Sequence, residues 1–511
     1  MDPALAERPG PEELHRAKLA APAGVARASN VAFFAALPPE QRRRFAGAIL
    51  RKPTRSLSGV AVVAVMTAPA RCPHGRCTYC PGGLENRSPQ SYTGEEPSAL
   101  RGAQFRYDAE AIVRHRLASL EETGHATSKV EVIVMGGTFP ARPRTYQRAV
   151  LKGVYDGLND GRAATLEEAQ ARNAVGGHRL VGLTVETRPD WCDERVLPFL
   201  LDAGVTRVEV GVECLDDRVL ERVGRAHQVR DVTRASRAAR DRGLKVGYHM
   251  MLGLPGMDPS TDLAGFRRLW SEEEYRPDFL KIYPTLVLPG TGLYEDWKAG
   301  RYAPYDALTA ADLLAAVKRE IPPWVRIHRI QRDIPARLIA AGVRTSNLRQ
   351  LAVERLARAG ERCRCLRCRE PGRGATPPPE EFVQERIDYP AASGRELFLS
   401  FEHRATDRCA AYLRLRFPPD RGPEDLGEPV VREIKVLGRE LAVGETPAVA
   451  DTYQHRGFGG RLLREAETIA RQAGYRRLYV MSAVGTWEYY LARGYARDGP
   501  YVAKTLRKEA G

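Results

Sequence analysis

The sequence predicts an α/β protein, a partial (β/α)6 barrel followed by a smaller mixed α/β domain. Three observations carry this. From Val60 onward, six short runs rich in Val, Ile and Leu alternate with amphipathic stretches. Repeated strand–helix units of this kind make a parallel sheet with right-handed crossovers. Near residue 361 the texture changes to an arginine-rich stretch with Cys363, Cys365 and Cys368, then a Gly/Pro-rich run from Gly372 to Pro379 that reads as a linker. From Arg395 the pattern restarts with shorter strands. The expected units are a basic N-terminal segment (1–57), the barrel (58–360), the cysteine motif with its linker (361–394) and the second domain (395–511). A chain of 511 residues has room for two or three domains.

Residues 1–57 are polar, basic and strandless. Arg42, Arg43, Arg44, Arg51, Lys52 and Arg55 cluster there, with Glu40 as the only nearby acid. Arg42–Lys52 reads as a helix, and basic side chains on a helix suit phosphate contacts; a solvated helix face is the competing reading. The barrel strands are expected at Val60–Thr67, Val130–Met135, Leu180–Val185, Arg207–Val212, Lys245–Leu252 and Phe279–Tyr283. Their near-continuous apolarity is that of strands covered on both faces. Helices are expected at Ala109–Glu121, Tyr146–Leu158, Glu194–Leu201, Val229–Arg242 and Asp262–Glu272. In the second domain, strands are expected at Glu396–Glu402, Ala410–Arg416 and Val431–Leu437. A helix at Arg461–Gln472 and a strand at Arg477–Met481 follow.

Composition bounds the function. The longest apolar run, Gly59–Ala70, is interrupted by Thr67 and Pro69 and is too short to span a bilayer. The N-terminus lacks the basic and apolar regions of a signal peptide. A reducing cytoplasm is therefore expected, where nine cysteines read as metal ligands or free thiols. The net charge of +15 points to a polyanionic partner, nucleic acid first. Heavy arginine use throughout the chain is the bland alternative.

Cys72, Cys77 and Cys80 are spaced C-x4-C-x2-C, directly after the first strand. In a barrel, chemistry belongs at this C-terminal end of the strands. A cubane iron–sulfur cluster needs four ligands, yet the next cysteine, Cys192, is remote. Three local thiolates leave one iron open to a small molecule, the layout of a radical S-adenosylmethionine (SAM) site. A zinc knuckle or three unrelated thiols compete with this reading. Gly136, Gly137 and Thr138 end the second strand, where glycines let the backbone approach a ligand such as the SAM methionine group. Glu186 ends the third strand; a buried carboxylate there is costly unless partnered. It either faces the site or pairs with Arg188. Lys281 interrupts the apolar sixth strand. A buried lysine is expected to have a depressed pKa and to bind an anion or move a proton, unless it snorkels to the rim.

In the second domain, Gln454-His-Arg456-Gly457-Phe458-Gly459-Gly460 precedes a long helix. Free backbone N–H groups at such a terminus cradle a pyrophosphate, and this order is that of the acetyl-CoA site of GNAT acetyltransferases. Tyr489 and Tyr490 then offer a hydroxyl beside the CoA sulfur, or pack as core aromatics. Cys363, Cys365 and Cys368 read as a zinc site with one remote fourth ligand. His115, Cys192 and Cys214 are candidates for that ligand, and a second iron–sulfur cluster is the alternative.

The chain resembles the catalytic subunit of Elongator, the tRNA wobble-uridine carboxymethylating family, over nearly its whole length. The resemblance lies in Cys77-Thr-Tyr-Cys-Pro-Gly-Gly83, Gln90-Ser-Tyr-Thr-Gly94, Lys129–Phe139, Glu186-Thr-Arg-Pro-Asp190, Leu280–Val287, Gln454–Gly460 and Gly499-Pro-Tyr501. It implies a SAM-derived 5′-deoxyadenosyl radical that takes hydrogen from the acetyl methyl of acetyl-CoA. The carbon radical adds to C5 of uridine 34, leaving 5-carboxymethyluridine. It further implies that Cys72, Cys77 and Cys80 hold a [4Fe-4S] cluster and that Lys129 serves acetyl-CoA. Glu433, Ile434, Lys435 and Val436 would flank the pantetheine arm, Phe458, Gly459 and Gly460 the pyrophosphate, and Tyr490 the thioester. The basic N-terminal segment matches a tRNA-binding region. The Cys363 cluster is similar to a zinc site of prokaryotic members, which implies an enzyme without the other Elongator subunits. Protein lysine acetylation with a structural iron–sulfur domain, a radical SAM methylation or methylthiolation enzyme, and a tRNA-binding scaffold are the competing readings.

Overall fold

A computed structural model describes residues 16–18, 33, 37, 59–372, 377–419, 427–438, 453–454 and 456–506. The basic cluster from Arg42 to Arg55 lies outside the described residues. Seven strands form the first sheet: β1 (Ala61–Met66), β2 (Lys129–Met135), β3 (Arg179–Thr187), β4 (Arg207–Glu213), β5 (Lys245–Leu252), β6 (Phe279–Pro284) and β7 (Arg326–Ile330). They are all parallel and lie in sequence order. Val63, Val65, Val130, Val132, Val134, Val208 and Val246 are fully buried, as β-branched residues between a sheet and its helices should be. Helices α1 (Ala109–Glu121), α2 (Arg144–Leu158), α3 (Val229–Asp241) and α4 (Ala307–Glu320) belong to this unit. Asp108 caps α1 by accepting from Ala111 N, and Gln228 with Asp231 forms a capping box on α3.

The six-strand expectation is one short. β7, Arg-Ile-His-Arg-Ile, carries charge instead of an apolar run, because its polar side chains have partners: Arg326 binds Glu370 at 2.7 Å. Among the described residues, no helix is long and apolar enough to cross a membrane.

The second sheet has the order β13-β14-β12-β11-β10-β9-β8. Its strands are β8 (Val383–Ala391), β9 (Gly394–His403), β10 (Arg408–Phe417), β11 (Val430–Val436), β12 (Arg477–Val480), β13 (Ala496–Asp498) and β14 (Tyr501–Thr505). β8 falls inside the segment expected as linker, so that expectation is too long at its C-terminal end. β8 was hidden because it is an edge strand with an exposed, charged face and Pro390 near its end. Helix α5 (Phe458–Gln472) packs on this sheet. β11 and β12 run parallel but pair only at Val430–Tyr479 and Val431–Val480. Beyond Val431 the two strands part, opening the sheet beside the N-terminus of α5.

The second sheet abuts the N-terminal ends of the barrel strands. A Cβ on Gly485 would stand 2.6 Å from Arg179 Cβ and 2.8 Å from Leu180 N, at the start of β3. The junction is charged yet dry: Arg240, Asp278, Glu396, Arg414, Arg416 and Arg432 are all fully buried. Arg432 donates to Asp278 at 2.8 and 2.7 Å and to Glu396 at 3.1 and 2.9 Å. Arg416 binds Glu396 at 3.0 Å and also Asp241, and Arg414 binds Glu433 at 2.9 Å. Each guanidinium meets a carboxylate, the condition under which charge can be buried.

Candidate active site

The cysteine loop leaves β1 beside the end of β2, where Thr67 N donates to Met135 O at 2.8 Å. Cys77 and Cys80 are buried and Cys72 half-buried. Cys80 Sγ accepts from Ser91 N and donates to Gln90 Oε1, both at 3.3 Å, and His74 Nε2 lies 3.3 Å from Cys77 Sγ. Among the described residues, these three thiols are not a group close enough to share one ion. That fits a cubane cluster, in which each thiolate holds a different iron, and does not fit a single-ion zinc knuckle.

Burial pushes the Cys72 thiol up to about 11, with Cys80 and Cys77 adding to it; Arg225 and Arg188 act the other way. Burial likewise raises Cys77, against the pull of Arg225. An iron cluster held there would displace these protons, and two buried guanidiniums would then face its negative charge. Arg225 was not singled out from sequence, and Arg188 only as a possible partner of Glu186. Arg225 donates to Gly211 O at 2.7 Å and lies 3.2 Å from Glu213, the last residue of β4. Glu213 has a left-handed φ of 67°, strain of the kind that collects at functional sites. Burial, then Arg188 and Arg225, lower His74 to about 4, so it stands neutral at physiological pH.

Gly136 and Gly137 have φ of 120° and 106°. A Cβ would stand 2.4 Å from Thr67 Oγ1 at Gly136 and 3.0 Å from Gln90 Cβ at Gly137. Gln90 also touches Cys80, so the strand end, buried Thr138 and the cysteine loop form one surface. Glu186 reaches the same end of β3. It does not pair with Arg188, which binds Asp190 through two bonds of 2.8 Å. Its partner is Lys281, at 3.2 Å.

Lys281 departs from expectation. Burial alone would lower its pKa, but Glu209, Tyr283 and Glu186 outweigh burial and raise it. It is an ammonium ion bound between Glu186 and Glu209, neither a depressed amine nor a snorkelling one. Glu209 also meets His249 at 3.1 Å and Arg207 at 3.5 Å, and Arg207 binds Glu131. The pairs of Lys281 with Glu186 and Glu209, and of Arg207 with Glu131, link strands that are not neighbours, so they cross the inner face of the sheet. The ladder ends 4.0 Å from Lys435 on β11. Lys281→Met is expected to destabilise the barrel by about 3–5 kcal/mol, since it strands buried carboxylates. Lys281→Arg should keep most of that stability in thermal unfolding. The pH–rate profile should show no lysine ionisation through neutral and mildly alkaline pH.

At the other end of the strands, Lys129 Nζ donates to Gln454 Oε1 at 3.0 Å, tying β2 to the glycine-rich turn. Gly457 has φ 81° at the N-cap of α5, and Arg456 before it is exposed. A Cβ on Gly459 would lie 3.3 Å from Tyr489 Oη, 3.6 Å from Val436 Cγ2 and 3.9 Å from Ile434 Cδ1. Turn, β11 and one tyrosine therefore converge. Strand alternation turns Glu433 and Lys435 the other way, to Arg414 and Glu131. The Phe458 side chain is core, 4.8 Å from the Phe401 ring, which leaves its backbone and those of Gly459 and Gly460 to line the turn. Tyr489 carries Arg493 over its ring at 3.7 Å. Tyr490 is buried between Tyr489 and Tyr495, at 5.1 and 5.8 Å. Of the two, it is the Tyr489 hydroxyl that reaches the turn. Gly459→Ala should leave helicity intact, since alanine is the better helix former. It should raise the KM for acetyl-CoA by about tenfold, a loss of roughly 1.4 kcal/mol, in steady-state kinetics.

Two groups among the described residues are tight enough to hold one ion. One is Glu186, Glu209 and His249, already served by Lys281. The other is Cys363, Cys365 and Cys368, beside buried Lys318. None of the three expected fourth ligands joins it. His115 packs on Phe105 at 4.9 Å, Cys192 sits in the core, and Cys214 donates to Asp216 O at 3.7 Å.

Residues 67–264 match the Radical SAM superfamily, 277–358 the Radical_SAM C-terminal domain and 364–495 the Acetyltransferase (GNAT) family. Over 495 residues the chain is 43% identical to the tRNA uridine(34) acetyltransferase of Methanocaldococcus infernus, covering 94% of this chain and 92% of that one. Identity to the protein of the same name from Dehalococcoides mccartyi is 45% over 468 residues, 89% of this chain and all of that one. Elongator complex protein 3 of Homo sapiens is 40% identical over 494 residues, with 93% and 90% covered. The solved structure of the archaeal Methanocaldococcus infernus Elp3 with N-terminus deletion (1-46) is similar with a TM-score of 0.78 at 40% identity, covering 88% of this chain and 100% of that one.

Proposed function

The chain belongs to the family of tRNA uridine(34) acetyltransferases and Elongator complex protein 3, and on that premise we propose that it converts wobble uridine 34 of tRNA to 5-carboxymethyluridine with acetyl-CoA. The observation that carries this reading is the presence of two cofactor surfaces on one tightly joined body. The cysteine loop stands at the C-terminal ends of the barrel strands and the glycine turn at their N-terminal ends, roughly 20 Å apart along β2 at ~3.3 Å per residue.

The radical SAM family brings a [4Fe-4S] cluster and SAM, and the GNAT family brings acetyl-CoA. Bound at the cysteine loop, cluster and SAM supply the one-electron chemistry that an unactivated methyl group and a weakly nucleophilic C5 require. The protein's part is placement. Cys72, Cys77 and Cys80 hold the cluster, and Arg188 and Arg225 balance its charge. Gly136, Gly137, Thr138 and Glu186 hold SAM, with Lys281 as a positioning residue that aims Glu186. Gly457, Phe458, Gly459 and Gly460 hold the pyrophosphate through backbone N–H groups, with Gln454 and Arg456 at the turn. Ile434 and Val436 line the pantetheine arm, and Glu433, Lys435 and Lys129 fix β11 against β2. Tyr489 orients the thioester, with Tyr490 packed behind it. Cys363, Cys365 and Cys368 hold a structural zinc ion.

A net charge of +15 suits tRNA, and the basic N-terminal segment is the proposed contact for it. A single-stranded anticodon loop can present an unstacked base. We further propose a cytoplasmic enzyme that works without other Elongator subunits; a stoichiometric partner in a pull-down contradicts that part.

The test incubates anaerobically reconstituted protein with tRNA, SAM, dithionite and acetyl-CoA, then digests the tRNA for mass spectrometry. Formation of 5-carboxymethyluridine that requires both SAM and acetyl-CoA is expected. Protein lysine acetylation independent of SAM and reductant would favour the competing reading instead.

A further inference from the structure

We propose that Arg332, seated over the ring of Tyr92, selects the target base, its guanidinium donating to O4 of the uracil that is modified. This rests on the wobble-uridine reading and adds to it the residue that tells uridine from cytidine.

Arg332 stands where a base must enter. The first sheet begins with β1 and ends with β7, and among the described residues these two edge strands are not paired with each other. Arg332 lies two residues beyond β7 and reaches across that opening, at the C-terminal ends of the strands. Its guanidinium carbon is 5.3 Å from the centre of the Tyr92 ring. Tyr92 in turn packs on Met66, the last residue of β1, and Met135, the last of β2. Burial, then Glu186, raises the Tyr92 phenol, with Arg332 and Lys281 acting the other way. The hydroxyl is therefore neutral at physiological pH and stands beside the Glu186–Lys281 pair. Each half of this seat follows a left-handed residue that is not glycine, Gln331 with φ 76° and Ser91 with φ 71°. Strain of that kind collects at functional sites. Gln331 is held by its N donating to Ile282 O at 2.9 Å and by its side chain donating to Thr345 O.

The donors of Arg332 are unspent. Its side chain is only 22% exposed, yet among the described residues it makes no hydrogen bond. The carboxylate nearest to it, Glu96, is 3.9 Å away. Glu96 is already engaged, accepting from Thr93 N at 3.0 Å, Thr93 Oγ1 at 3.0 Å and Gly94 N at 3.2 Å. The neighbouring arginines on the same lip are paired, Arg329 with Asp333 and Arg337 with Glu95. A guanidinium has N–H donors and no acceptor, so the group it takes must offer acceptor atoms.

Uracil offers them. A base splayed from a single-stranded loop is stacked on an aromatic ring or a guanidinium plane and hydrogen-bonded along its edge. At C4 the uracil edge carries an acceptor oxygen where cytosine carries an amino donor. Arg332 therefore meets an acceptor in one base and a like donor in the other. The C4 carbon is bonded to C5, so a grip on O4 also fixes the carbon that receives the acetyl unit.

The test measures binding of reconstituted full-length protein to three anticodon stem-loops, with uridine, cytidine or no base at position 34, across a salt series. SAM binding is measured alongside. Wild-type protein should hold the uridine loop about tenfold more tightly than the cytidine loop. Arg332→Met should weaken the uridine loop by about tenfold, leave the abasic loop unchanged and erase the preference. Arg332→Lys keeps the charge but not the planar fork, and should restore little of it. If all three loops weaken equally and the salt slope falls by about one, Arg332 contacts a phosphate and the proposal is wrong. It is equally wrong if only SAM binding falls, or if wild-type protein shows no preference for uridine. Should Arg332→Met fail to fold, Arg332→Lys and the wild-type preference decide. Formation of 5-carboxymethyluridine by the same wild-type preparation keeps the two readings apart. Product without a base preference removes Arg332 alone, whereas absence of product faults the wobble-uridine reading and leaves the binding preference to decide Arg332.

Discussion

Cys77→Ala is expected to reduce 5-carboxymethyluridine formation below detection, with tRNA affinity and acetyl-CoA affinity unchanged. Cys77 is buried in a loop with three thiols and no fourth cysteine nearby. Removing one ligand leaves two for a cluster that already lacks one protein ligand, and nothing local replaces it. The loss is therefore of the cofactor, not of a contact worth a fraction of the rate. Acetyl-CoA binding should survive because Gly459, Tyr489 and Val436 sit at the far end of the barrel strands. Iron content, the cluster's visible absorption and a gel-shift titration with tRNA check the three parts separately. A variant that keeps its cluster and its turnover would remove Cys77 from the site.

Asp278→Ala is expected to destabilise the protein by about 3–5 kcal/mol and to unfold both domains together. Asp278 is fully buried at the start of β6. It binds Arg432 through two bonds, accepts from Val246 N at 2.9 Å, and has Arg414 at 3.4 Å and Arg240 at 3.7 Å. Burial would raise its pKa, but Arg240, Arg432 and Arg414 together hold it well below the usual carboxylate range. A depressed carboxylate stabilises above the unfolded pKa and gives that stability up as pH falls towards the folded value. The contribution of Asp278 is accordingly whole at neutral pH and fades only in acid. Deleting it leaves guanidiniums from both domains without their shared anion. Denaturant unfolding followed by tryptophan fluorescence and far-UV circular dichroism should give coincident, shifted curves; two separate transitions would show that the junction does not couple the domains.

What the sequence disclosed was whatever is local along the chain. β5 is Lys245–Leu252 as expected, and β2 begins one residue early. The cysteine loop, Gly136-Gly137 and the turn before α5 were readable because each is a run of a few consecutive residues. What stayed hidden depends on partners far away in sequence. In isolation Arg326 and His328 argue against a strand, and only Glu370 and Glu209 make β7 possible. Lys281 shows the same limit: burial was foreseen, but the two carboxylates that reverse its effect come from β3 and β4. The Tyr489–Tyr490 pair needed the geometry of Gly459 to separate the hydroxyl that reaches the turn from the one packed behind it. The charged junction was invisible for a related reason, since arginine is abundant throughout the chain and its burial leaves no mark in composition.

The central claim, that both acetyl carbons end on uridine 34, is tested most directly by supplying acetyl-CoA labelled with 13C at both acetyl positions. Reaction with tRNA, SAM and reductant is followed by nuclease digestion and mass spectrometry. A two-carbon mass increment at nucleotide 34, lost in Cys77→Ala and diminished in Gly459→Ala at low acetyl-CoA, is the predicted result. Label found on protein lysines or as free acetate, with uridine 34 unchanged, would contradict it.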